Sequence, residues 1–63
     1  MTYKVDYLDD NRKSRRTIWL SADDARGAAM VAIYDRRPRF GEAYVRVEET
    51  RQTKTKTLIK KAS

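Results

Sequence analysis

The 63-residue chain contains no cysteine and no histidine, and only one proline and two glycines. Without cysteine there can be no disulfide and no thiolate metal site. Without histidine the commonest general base and a common metal ligand are missing as well. Carboxylates, lysines and tyrosines remain, but a domain this short buries only about 60% of the surface its unfolded chain exposes, which leaves little interior in which to tune them. Neither an enzyme nor a cofactor or metal site is expected. Gly27 and Gly41 stand alone, so no glycine-rich loop cradles a phosphate, and the pairs Asp9-Asp10 and Asp23-Asp24 lack metal-loop spacing.

Long apolar runs are also missing. The longest is seven residues, 28–34, against roughly 20 needed to cross a bilayer. The opening Met1-Thr2-Tyr3-Lys4-Val5-Asp6 lacks the apolar stretch of a signal peptide. A cytoplasmic protein with no membrane contact is the expectation.

What the chain does have is positive charge, unevenly placed. Residues 51–63 hold five basic residues and no acid, whereas residues 1–50 hold ten basic residues and nine acids, giving +6 in total. This divides the chain into a nearly neutral domain, 1–50, and a basic C-terminal arm, 51–63. An arm of that kind points to a polyanion or an acidic protein surface as partner.

Hydrophobic periodicity predicts an α+β fold of the order ββαβ. Tyr3, Val5 and Tyr7 alternate with polar residues as in a half-buried strand, and residues 9–14 form a polar turn. A second strand over 15–20 sets Ile18 and Leu20 on one face and Thr17 and Trp19 on the other. Ser21 reads as a helix N-cap with Asp24 in the capping-box position, and Pro38 as the stop, so a helix is predicted from Ala22 to Asp35 or Arg36. Its stripe of Ala22, Ala25, Ala28, Ala29, Ala32 and Ile33 should face a sheet, with Met30 and Tyr34 pointing away. A third strand over 43–48 places Ala43, Val45 and Val47 toward the helix. A right-handed crossover makes the third strand parallel to the second, and with the first strand between them, antiparallel to both, the predicted sheet order is 2-1-3 with the helix on one face. The arm is read as largely mobile; the alternative is a fourth, edge strand with Val45 near Leu58 and lysines discouraging further pairing.

The candidate binding residues fall into three basic clusters and one sheet face. Arg12, Lys13, Arg15 and Arg16 lie at the hairpin tip; Arg36, Arg37 and Arg39 surround Pro38; Lys54, Lys56, Lys60 and Lys61 belong to the arm. Arginine dominates the body, and its planar fork suits phosphate or carboxylate. On the sheet face away from the helix, Lys4, Thr17, Trp19, Tyr44 and Arg46 combine aromatic rings with cations, a pairing suited to stacking bases or anchoring a protein. The alternatives are a solvated basic surface, and a Trp19 covered by Leu58 and Ile59 of the arm.

Residues 17–50 have a strand, Ser21-Ala22-Asp23-Asp24-Ala25, an alanine-spaced helix, Pro38-Arg39-Phe40-Gly41 and Tyr44-Val45-Arg46-Val47. This pattern resembles small phage proteins, namely the podovirus inhibitors of host RNA polymerase and some small anti-CRISPR proteins. The resemblance implies one helix on a small antiparallel sheet and action by binding a host complex, without catalysis. The expected function is thus a non-enzymatic, basic binding protein that engages nucleic acid or a nucleic-acid-handling complex, as a phage-type modulator of host machinery. The alternative is a protein-only inhibitor acting through exposed aromatics.

Overall fold

In a computed structural model, which describes residues 1–49 and 57–62, the chain forms four strands and one helix. The strands are β1 (Thr2–Leu8), β2 (Ser14–Ser21), β3 (Tyr44–Glu49) and β4 (Thr57–Lys61). They make one fully antiparallel sheet of order β2-β1-β3-β4, so the order of the first three strands is the predicted 2-1-3. Between β2 and β3, helix α1 (Ala25–Met30) runs on into a π-helical turn, Val31–Asp35, and covers one face. The fold class is α+β. No helix among the described residues is long and apolar enough to cross a membrane.

The core is the layer between helix and sheet. Tyr3, Val5 and Tyr7 of β1 meet Val45 and Val47 of β3, Leu20 of β2, and the helix residues Ala28, Ala29, Ala32 and Ile33. Small alanines let the helix axis approach the central strands, where the tyrosines supply the bulk. Met30 and Tyr34 are exposed on the outer side, as their helical spacing predicts.

The arm is where expectation and structure part. Residues 57–61 are not a mobile extension; they pair with β3 as a fourth strand, and Leu58 and Ala62 pack on the core. The register sets Val47 opposite Leu58 and Val45 opposite Lys60, two residues from the predicted match. An offset of two keeps every side chain on its expected face. A sheet with only three strands would leave Val45 and Val47 at an edge, and the burial of Leu58 and Ala62 tips the balance toward pairing. Lys54 and Lys56 lie outside the described residues.

The helix start is a second correction. Ser21 does not cap it: Ser21 pairs with Thr2, and the Ala22 amide donates to the Met1 carbonyl at 3.0 Å, which lengthens the sheet instead. Asp24 is the cap, with extended backbone and a side-chain oxygen accepting from the Gly27 amide at 2.7 Å. Asp and Ser cap about equally well, so sheet pairing decides between them.

The far end of the helix shows why its last turn widens. In an α-helix the Arg36 amide would donate to the Ala32 carbonyl. That carbonyl instead accepts from the buried Tyr7 hydroxyl at 2.7 Å, and Arg36 reaches back to Val31 at 2.9 Å. A side chain inserted into the ladder has produced a π turn.

Candidate functional site: a basic end of the sheet

Strand direction gathers the hairpin-tip cluster, the helix-end cluster and Lys60 and Lys61 of the arm at one end of the molecule. Leu8 pairs with Ser14 and with Tyr44, and Tyr44 pairs with Lys61. The β1–β2 turn, the segment entering β3 and the end of β4 are therefore neighbours. The helix starts at the opposite end and delivers Arg36, Arg37 and Arg39 to the same place. Nine basic residues (12, 13, 15, 16, 36, 37, 39, 60 and 61) meet four acids there (9, 10, 35 and 42), leaving this end at +5. At the other end, among the described residues, stand the acids Asp23, Asp24, Glu48 and Glu49 with Lys4, Arg26 and the terminal amine, and Glu48 also pairs with Arg46.

Two loops shape the basic end. In the hairpin turn, an Asp9 carboxylate oxygen accepts from the amides of Asn11 and Lys13 at 2.9 Å each, while Arg12 adopts a left-handed φ of 62°. These bonds, that from Lys13 foremost, hold the Asp9 carboxyl below its ordinary value. Arg12 carries its guanidinium over the Tyr44 ring, 5.1 Å from the centroid.

The second loop, residues 36–43, is pinned from beneath by an ion pair whose carboxylate is buried and whose guanidinium is partly exposed. Arg16 forks onto Glu42 at 2.8 and 3.1 Å, donates to the Arg37 carbonyl at 3.1 Å, and lies 3.9 Å over the Tyr7 ring. Glu42 also accepts from the Arg39 amide. Burial pushes the Glu42 carboxyl up, but the bonds from Arg16 and Arg39 outweigh it and leave the group below its ordinary value. The Arg39–Glu42 turn closes at 3.0 Å, with Gly41 at φ 88° in the third position, where a type II turn needs positive φ. A Cβ built on Gly41 would lie 3.8 Å from the Arg15 guanidinium carbon, which places Arg15 beside this turn. Between the turn and β4 runs a groove of about 650 Å³, flanked by Tyr34, Arg37, Arg39, Lys60 and Lys61.

Two of the sequence-predicted binding residues are spent internally. Arg16 is the pin just described, and only 23% of its side chain is exposed. Strand parity already puts residue 16 on the core face with Ile18 and Leu20, a signal its charge conceals. Arg46 donates to the buried Asp6 at 2.8 Å and lies 3.3 Å from Glu48, so the centre of the open sheet face is a closed ionic network. Burial raises the Asp6 carboxyl, yet hydrogen bonds from Thr17 and Arg46 leave it below its ordinary value.

Trp19 is 59% exposed, so Leu58 and Ile59 do not cover it. Leu58 faces the helix, and Ile59 sits on the open face at the opposite edge from β2. Trp19 shares a row with Lys4 and Glu48, away from the Leu8–Tyr44–Lys61 row at the basic end. Lys13, Arg15, Arg36, Arg37, Arg39 and Lys61 are exposed, while Tyr44 and Lys60 are partly buried. Sequence reasoning missed Glu42, the buried acid of the loop, and Phe40, which is fully exposed. Comparison with protein-family models, with curated proteins and with solved structures found no match.

Proposed function

We propose that this chain is a non-enzymatic binding protein that engages nucleic acid, or a complex handling it, through its basic end. The convergence of the hairpin-tip, helix-end and β4 cations on one side carries this reading. A field of one sign concentrated at one end draws in and orients a polyanion, whereas the same charges spread evenly would only aid solubility. Arginine forks in an exposed setting match phosphate oxygens. The resemblance to small phage inhibitors extends the proposal to a modulator of host machinery.

The test is salt dependence. Binding to labelled duplex DNA should weaken with a log–log slope of about −0.9 per phosphate neutralised. Replacing Arg39 and Lys61 by Gln should flatten that slope, and a binding constant indifferent to salt would reject the proposal. Neutralisation is a cleaner perturbation than truncation, because removing β4 takes Leu58 and Ala62 out of the core.

A second reading has its own observation. Met30 and Tyr34 stand exposed four residues apart on the outer helix face, a spacing that suits docking into a partner's groove. Under that reading Tyr34→Ala abolishes capture of a protein partner while leaving the salt response to DNA unchanged.

A further inference from the structure

Phe40 is the only phenylalanine of the chain, and the fold makes no use of it. Its exposure is 103%, at the tip of the Arg39–Glu42 turn, whereas burying such a side chain ordinarily stabilises by about 1.5–3 kcal/mol. A small domain short of apolar bulk gains nothing for its own stability by holding this ring in water. The backbone around it is nonetheless held firmly. The Arg39 amide is bound to Glu42, Glu42 is gripped by Arg16, and Arg16 also holds the Arg37 carbonyl. The ring is therefore presented from a preorganised turn, so little backbone freedom is lost when something packs against it.

Its setting indicates what that something is. Arg37 and Arg39 precede it, Arg15 lies beside Gly41, and the acid of the turn is buried and paired. A flat apolar ring on a turn that carries Arg39 next to it in sequence and the Arg15 guanidinium alongside Gly41 complements a flat base flanked by phosphates. We infer that Phe40 stacks on a nucleic-acid base while the neighbouring arginines hold the adjoining phosphates. This inference rests on the nucleic-acid reading of the basic end and assigns the contact made there. A membrane surface fits less well, since one ring is a small apolar anchor and arginine forks favour discrete phosphates.

The base comes from a single strand or from an opened step of a duplex, and both chemistries present the same π-face. The experiment measures fluorescence anisotropy of a labelled single-stranded oligonucleotide and of a labelled duplex, each over a range of salt, with the full chain. Phe40→Ala should weaken binding roughly 5- to 150-fold with an unaltered salt slope, and Phe40→Trp should retain it. Since the side chain touches no core, thermal unfolding of both variants should match the parent. Loss confined to the single strand identifies an unpaired base; loss on the duplex together with bending, read by end-to-end energy transfer, identifies a wedge. Phe40→Ala binding as tightly as the parent, while Arg39→Gln flattens the slope, overturns the stacking contact and leaves the basic end standing. Salt-independent binding, or none, by the parent chain removes both. Loss of binding by Phe40→Ala only to phosphatidylserine-containing vesicles overturns stacking in favour of a lipid surface.

Discussion

Glu42→Gln tests whether the basic end depends on geometry or on charge alone. The substitution keeps the side-chain volume but removes one of the two oxygens that accept from Arg16 and the Arg39 amide. Its amide group then points N–H at N–H. A hydrogen bond to a charged group contributes about 1.5–3 kcal/mol, and breaking a buried pair costs about 3–5 kcal/mol. Glu42 is 3% exposed in its side chain, but Arg16 is 23% exposed, so water recovers part of the loss. We expect about 2–3 kcal/mol, or roughly 8–24 °C in Tm at about 4–8 °C per kcal/mol for a domain of this size. A chain of 63 residues has about 3–9 kcal/mol in total, so the loss takes a large share of it, and the measurement is made at low temperature, below the variant's transition.

Two readouts decide the matter. The Glu42 carboxyl is held below its ordinary 4.5, so its contribution is present above that pH and is lost as pH falls through the folded-state value. Acid unfolding followed by circular dichroism should accordingly be shallower in Glu42→Gln than in the parent. The second readout is affinity for DNA, where charge and geometry predict opposite signs. Removing an acid raises the net charge from +6 to +7, which alone strengthens binding. Release of residues 37–40 from their pin weakens it. A variant with Tm within a degree or two of the parent, an unchanged acid profile and tighter binding refutes the pin.

Two further outcomes follow from the same contacts. Tyr7→Phe removes the donor to the Ala32 carbonyl, so the Arg36 amide should return to Ala32 and the π turn relax to an α turn, at about 1–2 kcal/mol; a shifted Arg36 amide resonance and altered hydrogen exchange would report it, and an unperturbed resonance would refute the account. Arg46→Ala leaves Asp6 buried beside Thr17 without its cation and should cost about 2–4 kcal/mol in urea unfolding, while the salt slope of DNA binding stays that of the parent. A flattened slope with little loss of stability would return Arg46 to the binding surface.

Burial on one strand and charge on its neighbours set the limits of what periodicity revealed. The alternation of Tyr3, Val5 and Tyr7 and the alanine spacing of the helix were legible because each depends on local pattern, and the order 2-1-3 because a hairpin partner placed between two parallel strands pairs antiparallel with both. The helix start was not, because Asp24 and Ser21 are equivalent as caps and only the pairing of Ser21 with Thr2 separates them. The role of Arg16 was hidden for a related reason. Its face follows from strand parity, but its partner Glu42 lies 26 residues away and is brought to it by the return of the chain into β3.

Composition and order along the chain by themselves determined an α+β domain without thiol or imidazole chemistry, with a surplus of cations and an alanine-lined helix facing a sheet. Those properties depend on residue identity and short-range spacing. Only the tertiary structure decided that residues 57–61 form β4, that Arg16 and Arg46 are consumed by buried carboxylates, and that the hairpin-tip, helix-end and β4 cations share one end with Phe40. Long-range pairing governs each of these, since antiparallel register fixes which loops become neighbours and which charges are neutralised before any partner arrives.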